Sequence, residues 1–155
     1  MKDRATIICS REGKVLLVAR ARSRWSLPGG TIKSFESPLD AARRELEEET
    51  SLAGAEFTYL FQFGGLSKRH LVFFVDLPQD ACAEPRNEIL RCRWFSPTKI
   101  STLVTSIPTR EIVSLFFAHV NLGETQPAVI DKPDGRVNGT GQPYANVVDT
   151  ASQRV

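Results

Sequence analysis

The chain has 155 residues, and its 20 basic and 18 acidic side chains leave a formal net charge of +2. That length suits one domain with a real core and hardly two. The near-balance of charge gives no whole-molecule field for gathering nucleic acid, so no stable nucleic-acid partner is expected. Hydrophobic residues make up 41% and charged residues 25%, a globular composition in which no run approaches transmembrane length, so no membrane partner is expected either.

In chain order, "MKDRATIICSREGK" meets charges too early for a signal peptide, which predicts a cytoplasmic location. "ATIIC", the turn "SREGK" and "VLLVAR" read as a β-hairpin. "ARSRWSLPGGTIKSFES" mixes basic residues, Trp25 and the Pro28-Gly29-Gly30 breaker, and reads as mostly loop. A helix is predicted from Ser37 as N-cap, with Pro38 in the first helical position and Asp40 three residues on, persisting to Glu49 or Thr50. "AEFTYLFQF" and "HLVFFVDL" are strands joined by "GGLSKR", which makes His70 a hairpin residue. Phe61, Phe63, Phe73 and Phe74 are assigned to the core. "EILRCRWF" is a further strand, and "IPTREIVSLFFAHV" has the apolar spacing of a second amphipathic helix. From Asn121 the chain turns rich in Gly, Pro, Asn and Asp. The expected organisation is therefore a domain over 1–120 and a loosely ordered tail over 121–155. Cys9, Cys82 and Cys92 form no CxxC pair, and with only His70 and His119 as histidines a zinc centre is not expected; three reduced thiols are. Mixed strands with two helices predict an α/β/α arrangement with the sheet in the middle.

The unusual stretch is "RRELEEET", Arg43 to Thr50. Acids are unfavourable near the C-terminal end of a helix, and like charges at i, i+3 and i+4 repel. At 100° per residue, with Glu45 at zero, Glu48 falls at about 300° and Glu49 at about 40°. Leu39, Ala42 and Leu46 form an apolar stripe beside them, at about 120°, 60° and 100°, and Glu47 points away at about 200°. A plain charged surface accounts for such a run in general. Here the acids adjoin the core stripe, and no lysine in the turn offsets them. A divalent cation held by three carboxylates would turn the repulsion into coordination, and Mg²⁺ in particular bridges protein carboxylates and substrate phosphates.

Reading outward, "GTIKSFESPLDAARRELEEETSL" resembles the Nudix box: a glycine, five residues, a glutamate, seven residues, then Arg-Glu-apolar-any-Glu-Glu-any-Gly-apolar. Gly30, Glu36, Arg44, Glu45, Leu46, Glu48, Glu49 and Leu52 match, eight of nine positions with the spacing kept. Ser51 stands where the family has glycine. If that position needs a left-handed backbone, serine costs on the order of 1 kcal/mol there. The resemblance implies a Nudix-like α/β/α sandwich with a mixed β-sheet between helices. It also implies a hydrolase of nucleoside diphosphates linked to another moiety, using Mg²⁺ or Mn²⁺. By carry-over, Glu45, Glu48 and Glu49 bind metal together with the Gly29 carbonyl, and Glu45 or Glu48 takes the proton of the attacking water. Glu36 and Arg44 pair structurally. A further acid often comes from outside the box, and Glu84 and Glu88 are the candidates, Glu88 favoured. Arg20, Arg22, Arg24 and Trp25 precede the box as candidates for substrate contact through phosphate pairing or base stacking, with packing under the Pro28-Gly29-Gly30 turn as the alternative for Trp25.

Substrate identity is not written in the box. No proline lies about fifteen residues past it, where Leu66 and Ser67 stand, and no tyrosine lies near Lys68. Signatures of ADP-ribose and diadenosine polyphosphate hydrolases are thus missing, as are those for NADH and coenzyme A. The remaining expectation is a small nucleotide substrate, a nucleoside triphosphate favoured. The competing readings are a Nudix-like nucleotide- or protein-binding domain that does not cleave, and an unrelated acidic helix end that binds Ca²⁺ or a basic partner. Intact box glutamates weigh against the first and the lack of an EF-hand loop against the second. The oligomeric state stays open, a homodimer included.

Overall fold

The computed structural model describes residues 1–121. It contains β1 (Lys2–Arg11), β2 (Lys14–Arg20), β3 (Gly29–Thr31), α1 (Pro38–Thr50), β4 (Thr58–Gly64), β5 (Lys68–Asp76), β6 (Ile89–Phe95), α2 (Pro97–Ile100) and α3 (Ile107–Asn121). The tail expected beyond α3 lies outside the described residues. The predicted strands and both main helices are present. Two elements were not foreseen: the three-residue strand β3 within the expected loop, and the single turn α2, capped by Ser96 Oγ accepting from Lys99 N at 3.2 Å.

The sheet runs in the order β4-β5-β1-β2-β6 and is mixed, since β1 and β5 are parallel and the other pairs antiparallel. β1 and β2 form a tight hairpin through Glu12 and Gly13, both at positive φ, the backbone a two-residue turn requires. They stay paired only near the turn, at Ser10–Val15 and Arg11–Lys14. Beyond it they splay apart, and the segment Ser26–Thr31 fills the gap. Ser26 exchanges both backbone hydrogen bonds with Val18, Ile7 N donates to Pro28 O, and β3 pairs with Arg4 to Thr6. This inserted segment brings Gly29 and Gly30 into the sheet.

Both faces of the sheet are covered, so its central strands are apolar on both sides rather than alternating. On one face Ala5, Ile7, Leu16, Leu71 and Phe73 pack against Ala41, Ala42 and Leu46 of α1. On the other Ile8, Val15, Leu17, Leu60 and Val72 pack against Ile112, Val113 and Phe116 of α3. The result is the expected α/β/α sandwich. Cys9 is buried, Cys92 half-buried and Cys82 exposed, all as free thiols. No helix of the described residues is long and apolar enough to cross a membrane.

Candidate active site

Local chemistry fixes both ends of α1. Ser37 Oγ accepts from Asp40 N at 3.1 Å, with Pro38 in the first turn. At the other end Ser51 takes the left-handed conformation, φ 65°, where the resemblance had glycine. The last carbonyls of a helix have no intrahelical partner. Here each of the last four finds one. Ser51 N donates to Glu47 O at 3.0 Å, Asn87 Nδ2 to Glu48 O at 2.8 Å, Arg86 N to Glu49 O at 3.1 Å, and Glu84 N to Thr50 O at 2.8 Å. The segment Glu84–Asn87 is thus clamped across the helix end and delivers Glu88 to it. Nothing local in the sequence signals this clamp, because its partners lie more than thirty residues apart.

Glu49 is buried, at 3% exposure, and its Oε2 accepts from Gly29 N at 3.1 Å. Burial raises its carboxyl to about 7; Glu45 and Glu88 push the same way, against the Gly29 hydrogen bond and Arg4. Glu45 lies against the neighbouring glycine, since a Cβ on Gly30 would collide with its carboxylate. The box glycine therefore leaves room for the first box carboxylate. Gly29 has φ 148°, and a Cβ there would strike the Ala5 carbonyl, so this position is closed to side chains on both counts. Arg4, unforeseen in the sequence, reaches the same place: burial lowers its pKa while Glu49 and Glu45 oppose that.

Arg44 organises the remaining acids. Its Nε and Nη2 bind the two oxygens of Glu36 at 3.1 and 2.6 Å, a bidentate pair that holds Glu36 down at about 2. Its Nη1 donates to Glu45 Oε1 at 2.8 Å and Glu48 Oε2 at 3.2 Å, and Nη2 reaches Thr31 O at 3.3 Å. Arg44 so ties the loop before α1 to β3 and to the acid row. The three box carboxylates do not meet at one point: Glu45 and Glu49 converge on Gly29 and Gly30, while Glu48 is turned outward and half-exposed. No three acid, cysteine or histidine side chains of the described residues stand together as a ready metal-binding group.

Glu49 opens onto a cleft of about 950 Å³ on the α3 side of the sheet. Arg4, Arg20, Arg22, Arg24 and Lys68 line it, so it is strongly basic around a buried acid. Of the predicted substrate residues, Arg22 and Arg24 are in the lining and Trp25 is not. Trp25 is used within the protein instead: its ring packs edge-on against Phe95 at 4.9 Å, with the Arg91 guanidinium 4.6 Å over its face. Glu88 accepts from Arg20 at 3.0 Å, whereas Glu84 enters the site through its backbone. Phe63 packs against the core cluster, as assigned, and also lines the cleft. His70 is a hairpin residue, paired with Phe63 across β4 and β5; on its other side it lies opposite Arg4, and it too lines the cleft. The hidden signal was the period of two along β1 and β5, which places Arg4, Thr6 and His70 on the cleft face.

The NUDIX domain model matches residues 1–128. The chain belongs to the Nudix family. Among its relatives, the phosphatase NudJ of Escherichia coli K12 is 30% identical over 110 residues, 64% of this chain and 72% of that protein. The uncharacterized Nudix hydrolase YfcD of Salmonella typhi is 26% identical over 146 residues, 86% of this chain and 79% of that protein. The crystal structure of a Nudix hydrolase family member from Chromobacterium violaceum superposes with a TM-score of 0.70 at 29% identity, covering 81% of this chain and 82% of that one. This Nudix protein is thus a hydrolase of phosphoanhydride bonds, in a family that uses divalent metal ions. The donor set fits such ions in its chemistry, being all oxygen. Arg44 Nη1 already bridges Glu45 and Glu48 with positive charge, and the raised carboxyl of Glu49 is what a nearby cation would relieve.

Proposed function

We propose that this protein hydrolyses, with Mg²⁺, the pyrophosphate bond of a nucleoside diphosphate linked to another moiety, a nucleoside triphosphate or similar small nucleotide being favoured. The observation that carries the reading is the placement of Glu49 beside Glu45 and Gly29, at the floor of a cleft lined by Arg4, Arg20, Arg22, Arg24 and Lys68. Glu45, Glu49 and the Gly29 carbonyl would hold the metal, Glu48 joining them by turning in from its outward position, with Glu88 as the acid from outside the box. Bound there, Mg²⁺ would neutralise phosphate charge and acidify water. Arg22, Arg24 and Arg4 pair with the phosphate oxygens and fix the chain of phosphates along the cleft. Glu45 or Glu48 accepts the proton of the attacking water. Glu36 and Arg44 hold the row of acids in place without touching substrate.

The test is a panel of nucleoside triphosphates, nucleotide sugars and dinucleoside polyphosphates incubated with Mg²⁺. Phosphate released after added pyrophosphatase or phosphatase scores each reaction. At least one substrate should turn over, with loss of orders of magnitude in Glu48→Gln and Glu49→Gln. Parental rates in both variants on a confirmed substrate would refute the site.

A further inference from the structure

The two sides of the cleft differ in chemistry. On the β2 side stand Arg20, Arg22 and Arg24. The other side is built by the β4–β5 turn and the start of α3, where Phe63, Leu66 and Ile107 add apolar surface beside Lys68 and Glu111. Leu66 is 99% exposed and Ile107 62%, so both leave apolar surface open to a ligand at the cleft.

His70 sits in this apolar part. Its Nδ1 is paired with Thr6 Oγ1 at 2.9 Å, and its ring is edge-on to Phe63 with centroids 6.0 Å apart. Among the described residues no protein group bonds Nε2, and that atom is not sealed from the cleft. Across from it is Gly65, where a Cβ would stand 3.5 Å from Nε2. Burial, with Arg4 and Lys68 nearby, holds the imidazole at about 4, so at neutral pH it is uncharged. An uncharged imidazole offers a phosphate one hydrogen bond at most, without the charge that Arg4 and Lys68 already supply beside it. Oriented by its bond to Thr6 Oγ1, it offers a planar heterocycle one directed donor or acceptor at Nε2.

We infer that His70, through Nε2, hydrogen-bonds the edge of the nucleotide base and sets which bases the enzyme accepts, with Phe63 and Leu66 covering the ring. This rests on the nucleotide hydrolase reading above. A site built around a directed hydrogen bond rejects a ligand lacking the partner far more strongly than an apolar pocket does.

The test uses two variants that perturb Nε2 differently. His70→Phe combined with Thr6→Val keeps an aromatic ring and leaves no stranded hydroxyl. Gly65→Ala keeps the imidazole and sets a methyl 3.5 Å from Nε2, tight against the Lys68 carbonyl at 3.1 Å. Three readouts are taken: kcat/KM for the four ribonucleoside triphosphates with Mg²⁺, metal-free dissociation constants of the four nucleoside monophosphates, and inhibition by inorganic tripolyphosphate. The parent is expected to prefer some bases, and both variants to shrink the best-to-worst ratio by about tenfold, with tripolyphosphate inhibition within about twofold. An unchanged ratio, no parental base preference in either assay, or an equal loss of tripolyphosphate inhibition overturns the assignment. If monophosphate binding shows a preference that the variants erase while no triphosphate is cleaved, His70 keeps its role and the hydrolytic substrate reading falls.

Discussion

Replacing Glu49 with glutamine, in the absence of metal, should stabilise the protein, and by an amount that grows with pH. In the folded chain burial holds this carboxyl at about 7, against an ordinary value of 4.5. Between those values the folded state binds more protons than the unfolded one, so stability falls as pH rises, and the loss is complete above the folded value. Titrating one group with those two constants gives a loss of about 2–3 kcal/mol between pH 5 and pH 8. Glutamine has no such titration, and its amide oxygen can still accept from Gly29 N. The measurement is urea unfolding followed by Trp25 and Trp94 fluorescence, with EDTA, at pH 5, 6, 7 and 8. The variant-minus-parent difference should widen by about 2–3 kcal/mol across the series, because every other titrating group is common to both proteins. Adding Mg²⁺ at pH 8 should narrow it by stabilising the parent alone. A difference independent of pH would refute the claim that this buried carboxylate carries the strain of the acid cluster.

Gly30→Ala should drive the Glu45 carboxylate from its cradle and cut turnover by at least about tenfold while the thermal midpoint moves only a few degrees, checked by steady-state kinetics beside calorimetry. Arg44→Lys cannot reproduce the bidentate grip on Glu36, and urea unfolding should report a loss of about 2 kcal/mol, most of it absent when Glu36→Gln is already present. Ser51→Gly should raise stability by roughly 0.5–1 kcal/mol, because glycine takes the left-handed backbone without strain; hydrolysis should be unchanged. Asn87→Ala should cost about 1 kcal/mol by leaving the Glu48 carbonyl without its cap, read by the same unfolding curves.

Legibility in the sequence followed the range of the interaction. Ser37, Pro38 and Asp40 announced the start of α1 because a cap is settled within four residues, and the shared face of Glu45 and Glu49 followed from the helical period alone. Ser51 was flagged as a left-handed position and is one. What stayed hidden depends on parts of the chain that meet only in the fold. β3 is a strand because β1 and β2 splay and need a partner, not because Gly29-Gly30-Thr31 favours extension. Nothing in the sequence gives Arg4 or Lys68 a role until parallel pairing of β1 with β5 sets them around one cleft. His70 was legible as a hairpin residue, but its place on the cleft was not, because that follows from the pairing of β5 with β1 opposite Arg4.

The crowding of acids at the end of α1 is therefore resolved unequally. Arg44 answers Glu45 and Glu48 directly, and the clamp from Glu84 to Asn87 satisfies the carbonyls whose exposed dipoles would otherwise repel the carboxylates. Among the described residues Arg44 makes no bond to Glu49, whose partners are the Gly29 N–H and the pull of Arg4. A purely structural design would have put glutamine or leucine there, since a buried carboxylate without a bonded cation lowers stability. The cost falls on the one box acid that faces the basic cleft, where the proposed metal would offset it.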